Sequence, residues 1–118
     1  MRRLEVAEIS IHEDGRLLIR PTEADDSFQY VHRAAAEVSW DPDVACFVCP
    51  TPREWSYLRW FQHARDAIRS ELGRDLQVTG RTSWRNVGDG LRTEISAASI
   101  AAVDIRVDEP DDDSPSGR

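Results

Sequence analysis

Apolar and polar residues alternate along residues 4–11, as in a strand that buries one face. We expect a bulge in this strand near Ala7. The sequence EDG at residues 13–15 is a turn signal, so residues 16–20 (RLLIR) are predicted to pair back onto the first strand. The chain is therefore expected to begin with an antiparallel β-hairpin.

Short strand signals follow the hairpin. Residues 28–36 and then 37–40 are predicted as strands, and the turn residues DPD at 41–43 separate them from another strand at 44–48. Residues 76–79 predict a further short strand. We expect these strands to form a mostly antiparallel sheet.

One long helix is predicted at residues 52–72. Thr51 is placed as its N-cap, Pro52 falls at the first helical position, and Glu54 completes a capping box. Gly73 is expected to close the helix in the left-handed conformation. The apolar residues with helical spacing, predicted to face the core, are Tyr57, Trp60, Phe61, Ala64, Ala67, Ile68 and Leu72.

Trp55 is the exception on this helix, because it falls on the side opposite the apolar face. One interpretation is structural: Pro50 and Trp55 form a hydrophobic staple, and Arg59 stacks on the indole. The other treats Trp55 with Arg59 as an exposed anchor for a partner, since Trp and Arg are enriched at interface hot spots. The sequence leaves both interpretations open.

A second helix is predicted to start at Asp89, which can act as its N-cap. Its narrow apolar stripe consists of Leu91, Ile95, Ala98 and Ala102. Residues 103–107 alternate apolar and polar, so they either continue this helix or form a last strand. The elements together predict an α+β domain of two layers, a mostly antiparallel sheet with one long and one shorter helix packed on one face.

Length and charge limit the architecture. The chain has 118 residues, 40% of them hydrophobic, which suits one domain with its own core, and we assign it to residues 1–107. The net charge is −7, of which −4 comes from five acidic residues and one arginine at 108–118, predicted to be a disordered acidic tail. No apolar run is long enough for a membrane span and no secretory signal is recognisable, so we expect a cytoplasmic protein.

The sequence carries no recognisable catalytic, metal or cofactor site. Cys46 and Cys49 form a CxxC pattern, but strand-like residues separate them, so we interpret both as buried, inert cysteines on opposite faces. His63 can form a hydrogen bond with Asp66. Binding to nucleic acid is not expected, because the net charge is negative and the arginines form no continuous stripe.

Two other tryptophans and one glutamate stand out. Trp40 ends a predicted strand and Trp84 lies in a predicted loop, so with Trp55 they are candidates for an exposed apolar patch. The alternative is that these aromatic side chains pack onto the edge of the core. Glu71 lies near the C-terminus of the long helix, where the helix dipole opposes its charge. It is expected either to pair with an arginine of the sheet or to line a pocket.

The segment CPTPREWSYLRWFQHARDAI, together with RLLIRP near the start and TSWRNV after the long helix, resembles small α+β proteins encoded in bacterial integron gene cassettes. The resemblance extends over about residues 4–99. It implies a mobile bacterial gene product, often oligomeric, with no assigned activity. Such proteins include neutralisers of toxins and modifiers of partner proteins, but the resemblance implies no catalytic residue.

Our leading hypothesis is a non-enzymatic module that binds protein, either a second copy of itself as a homo-oligomer or another partner. Its candidate interface residues are Trp55, Arg59, Trp40 and Trp84. The alternative is a small-molecule-binding protein or modest enzyme with a pocket between the sheet and the long helix. The polar groups of that pocket would be Tyr57, Glu71 and His32.

Overall fold

The computed structural model describes the backbone of residues 2–107 and the side chains of residues 2–99. The predicted disordered tail at 108–118 lies outside the described residues. None of the helices in the described part of the chain has the length and apolar composition of a membrane span.

Six strands form one mixed sheet in the order β3-β4-β2-β1-β5, with β6 paired to a different part of β1. The strands are β1 (Arg2–Ile11), β2 (Leu17–Pro21), β3 (Ser39–Asp41), β4 (Cys46–Cys49), β5 (Arg74–Gln77) and β6 (Ser83–Arg85). The first four pair antiparallel, whereas β5 and β6 both run parallel to β1. The α+β class is confirmed, but the sheet is partly parallel, because the chain crosses over a helix before it rejoins β1.

The predicted hairpin and its bulge are confirmed. Val6 is opposite Pro21 and Glu8 is opposite Arg20, so Ala7 is the extra residue of the bulge. The bulge shifts the phase of the alternation, and Val6 and Ile9 on either side of it are both fully buried.

A 3-10 helix, Asp26–Arg33, replaces most of the strand predicted at residues 28–36, which was therefore wrong. Asp25 caps it, since its Oδ1 accepts a hydrogen bond from the backbone N–H of Ser27 at 2.9 Å. Phe28 and Val31 are the buried residues of this helix. Their spacing of three matches the 3-10 repeat, which explains why an alternating period fails here.

The long helix starts five residues later than predicted. Helix α1 spans Tyr57–Ala67, and Ser56 is its N-cap, with Oγ accepting from the N–H of Arg59 at 3.1 Å. Thr51 lies in the preceding loop and does not cap the helix. The end is as predicted, because a π-helical turn, Ile68–Leu72, closes at Gly73 with φ of 66°.

Both helices contribute to one core with the inward face of the sheet. The buried α1 side chains are Trp60, Phe61, Ala64 and Ala67, and Ile68 follows in the π turn. Helix α2 spans Asp89–Val107, so residues 103–107 continue the helix and form no strand. Its Ile95 is fully buried, and Arg65 of α1 donates to the carbonyl oxygen of Ala98 at 3.0 Å.

Candidate functional site

A cleft of about 700 Å³ lies where the β1–β2 turn meets the loop that precedes α1. The turn contributes one wall and the loop another, with the first turn of α1 behind them. The lining residues are Asp14, Arg16, Glu37, Pro50, Thr51, Arg53, Glu54, Trp55 and Trp60.

Two hydroxyl groups hold the walls of this cleft together. Thr51 Oγ1 donates to the carbonyl oxygen of Asp14 at 2.8 Å, and the Tyr57 hydroxyl donates to the carbonyl oxygen of Gly15 at 2.8 Å. Gly15 has φ of +93°, and a Cβ on it would lie 2.8 Å from Thr51 Cγ2. Glycine is therefore required for the turn to approach the loop this closely.

The charged groups of the cleft divide into a paired set and an unpaired set. The Asp14 carboxylate accepts from Arg16 Nε at 2.8 Å and lies 3.1 Å from His12 Nδ1. The hydrogen bond from the backbone N–H of Arg16, with its guanidinium, lowers the pKa of Asp14. Of the charged side chains that line the cleft, those that are exposed and have no ion-pair partner among residues 2–99 are Glu37, Arg53 and Glu54.

An aromatic pair forms the apolar part of the cleft. Trp55 precedes the N-cap of α1 and Trp60 is at the fourth helical position, with ring centroids 4.7 Å apart. These are the two positions of a hydrophobic staple. Trp55 is therefore a staple residue, but its partner is Trp60 and not Pro50.

Trp55 also has polar neighbours on its other sides. The Arg59 guanidinium carbon lies 4.8 Å from the centroid of its ring, so the predicted stacking is confirmed. His63 packs edge-on to Trp55 at 5.0 Å. Asp66, the predicted hydrogen-bond partner of His63, lies 3.8 Å from Arg65 Nε. Trp55 remains half-buried and Arg59 exposed, so both are within reach of a partner.

Trp40 and Trp84 lie far from each other, at opposite edges of the sheet. One cross-strand row joins them through Phe47, Ile19 and Ile9, each residue opposite the next. Four strand spacings of about 4.8 Å separate the two ends by roughly 19 Å. The four predicted interface residues thus do not form one compact patch, and the contact found among them is that of Arg59 on Trp55.

The predicted pocket residues are likewise dispersed. The Tyr57 hydroxyl donates its hydrogen bond to the Gly15 carbonyl oxygen. Glu71 pairs with Arg33 of the 3-10 helix at 3.8 Å and not with an arginine of the sheet. His32 is exposed, with Nδ1 2.8 Å from the Gln29 carbonyl oxygen. None of the three predicted residues lines the cleft.

The two cysteines are free and buried on β4. Burial raises the pKa of Cys49 to about 12 and also raises that of Cys46, which keeps both thiols protonated at neutral pH. Within the described residues no group of three or more His, Cys, Asp or Glu side chains is placed to hold a metal ion.

Sequence reasoning missed most of the cleft. Of its lining residues, only Trp55 was a site candidate. The available signals were Gly15 in the turn and Ser56 as a second possible cap after Thr51, since Pro52 is compatible with both an extended loop and a helix start.

Two comparisons with known proteins identify the same family of integron cassette proteins. The family model described as Integron Cassette Protein Hfx_Cass5 matches residues 4–82 of this chain. A solved structure, titled "Structure from the mobile metagenome of North West Arm Sewage Outfall: Integron Cassette Protein Hfx_Cass5", is 39% identical, with 85% of this chain and 98% of that chain covered and a TM-score of 0.41. Among curated proteins none matches significantly. The matched range includes every lining residue of the cleft.

Proposed function

The chain belongs to the family of integron cassette protein Hfx_Cass5, and from this premise and the geometry of the cleft we propose that it is a non-enzymatic protein-binding domain. The resemblance to integron cassette proteins expected from the sequence is confirmed by this membership. The proposed binding surface, called here the Trp55 surface, consists of the cleft together with Arg59 and His63. We place its action in the cytoplasm as part of the same proposal.

The half-buried indole of Trp55, which is fixed on several sides and still accessible, is the main support for this proposal. Trp60, His63 and Arg59 hold the ring at centroid distances of 4.7, 5.0 and 4.8 Å. A side chain already fixed in the free protein loses little entropy when a partner binds. Trp and Arg are also the residue types that most often dominate binding energy at interfaces.

The arrangement around Trp55 resembles the anatomy of a protein interface. The two indoles line the cleft together with the exposed charged side chains of Glu37, Arg53 and Glu54. Interfaces generally combine an aromatic centre with a polar rim. The partner is either a second copy of this chain or another protein.

The test is a binding measurement with a matched pair of variants. Native mass is measured by light scattering at two protein and two salt concentrations, and the immobilised protein is then used for capture from lysate of a bacterial host. Arg59→Ala removes the guanidinium 4.8 Å from Trp55, and Arg92→Ala removes the equivalent one 5.5 Å from Trp84. We expect stoichiometric association that Arg59→Ala weakens and Arg92→Ala does not. A protein that neither self-associates nor captures a partner would contradict the proposal.

The size of the cleft favours a second candidate function, the binding of a small molecule. Its volume of about 700 Å³ lies within the usual range for ligand pockets. Thermal unfolding with a panel of metabolites would test this, since a ligand that binds only the folded state raises Tm. The same panel on Trp55→Ala checks that any stabilisation arises at the cleft.

A further inference from the structure

The unpaired charges of the cleft indicate which chemistry its occupant should carry. We propose that the cleft receives a basic side chain, arginine or lysine, presented by an exposed segment of the partner protein. This inference rests on the proposed function and specifies the partner's contact group.

The charge of the cleft favours a cation. Asp14 and Arg16 form an ion pair with each other at 2.8 Å. The other charged lining residues, Glu37, Glu54 and Arg53, have no ion-pair partner among the described residues. Two of these three groups are carboxylates. The five ionisable groups of the lining sum to −1, so a cation is attracted and an anion repelled.

The aromatic surface of the cleft also favours a cation. The indole of Trp55 already attracts one guanidinium, that of Arg59, which is not among the lining residues of the cleft. Trp55 and Trp60 also line the cleft itself, with their planes inclined at 51°. Indoles and carboxylates that line one cleft are a suitable environment for a cationic side chain, through cation–π attraction and ion pairing together.

An anionic group fits the same cleft less well. It would depend on Arg53, because the guanidinium of Arg16 is engaged by Asp14. Binding an anion there would also bring it near Glu37 and Glu54, which have no ion-pair partner among the described residues.

The test uses blocked amino acids as probes. N-acetyl-arginine amide is titrated into the full-length protein while the four tryptophan indole N–H signals are followed by NMR. N-acetyl-citrulline amide is the matched control, because it has the same shape and no charge. We expect the arginine probe to move the signals of Trp55 and Trp60 at millimolar concentration and to leave Trp40 and Trp84 in place. Equal shifts with citrulline, or none with either probe, would overturn the inference.

Charge-neutralising variants test the same point without disturbing the fold. Glu37→Gln and Glu54→Gln are exposed substitutions and should each weaken binding of the arginine probe by about two- to five-fold, the usual scale for an exposed ion pair. Glu94→Gln on α2, an exposed acid outside the cleft, should have no effect. Partner association that depends on Trp55 but is unchanged in both cleft variants would refute the cationic contact while leaving the protein-binding function intact. Loss of association in Trp55→Ala and in both cleft variants would support both.

Discussion

The indole of Trp55 packs on the indole of Trp60 across the N-cap of α1, with ring centroids 4.7 Å apart. Because the two residues occupy the staple positions on either side of Ser56, this contact fixes the direction in which the loop enters the helix. Trp55 therefore has a structural role and, in our proposal, a binding role on the same ring.

Trp55→Ala should lower both stability and association. Loss of the aromatic pair and the staple is expected to reduce the free energy of unfolding by about 1–3 kcal/mol. Urea denaturation measures this reduction, and the binding assay is then run where the variant is fully folded. Arg59→Ala keeps the aromatic pair and should lose association with a stability change within about 0.5 kcal/mol. A stability loss in Trp55→Ala with association intact would leave the staple as its only role.

Gly15→Ala should be the most destabilising of three glycine substitutions. Gly15 has φ of +93° and a Cβ there would lie 2.8 Å from Thr51, whereas Gly73 has φ of +66° with nothing within 4 Å. Gly73→Ala thus isolates the cost of the left-handed conformation, about 1–2 kcal/mol. Gly88 has neither constraint and serves as the control. Chemical denaturation should rank the losses as Gly15, then Gly73, then Gly88; equal losses at Gly15 and Gly73 would mean that the turn moves away from Thr51 without cost.

Several features were predictable from the sequence because their causes are local. The bulge at Ala7 follows from a phase change within one strand, and the left-handed Gly73 follows from a glycine after the last apolar helical position. The burial of Cys46 and Cys49 follows from a short apolar run. In each case the residues that decide the structure are neighbours along the chain.

The remaining features depend on residues that are distant in sequence. Thr51 and Ser56 are both plausible N-caps. The helix uses Ser56, because the Thr51 hydroxyl instead donates to the carbonyl oxygen of Asp14, 37 positions earlier in the sequence. The cleft arises from the same contact between turn and loop. The parallel pairing of β5 and β6 with β1 depends on the path of the chain over the sheet. The alternation of apolar and polar residues within a strand does not predict that path.

Stability should decrease in acid partly through Glu5. Hydrogen bonds from Thr79 at 2.7 Å and from Arg81 lower the pKa of this carboxyl below its ordinary 4.5. Since the pKa is lower in the folded state, the stabilisation is complete above the unfolded value of 4.5 and is lost as pH falls through the folded value. Urea denaturation between pH 7 and pH 3 should show a weaker pH dependence for Glu5→Gln than for the parent chain. Glu94→Gln, at an exposed position without an ion pair in the described part of the chain, should retain the parent dependence.

Trp40→Ala and Trp84→Ala should act on stability and not on association through the Trp55 surface. The two indoles lie at the ends of one cross-strand row, where Trp40 packs on Phe28 and Phe47 with centroids 5.1 and 4.9 Å away. Removing Trp40 therefore opens an aromatic cluster and should cost about 2–4 kcal/mol, somewhat less than for a fully buried tryptophan.

The same substitution at the other end of the row provides the comparison. Trp84 is also half-buried, but the group that packs on its ring is the guanidinium of Arg92 at 5.5 Å, so its loss should cost less than that of Trp40. Both variants are measured by urea denaturation and then by light scattering under conditions in which they are folded. Association that falls in Trp40→Ala or Trp84→Ala as much as in Trp55→Ala would move the interface from the cleft to the sheet edges. Association that falls only in Trp55→Ala would assign binding to the Trp55 surface, because the row then stabilises the fold without contacting the partner.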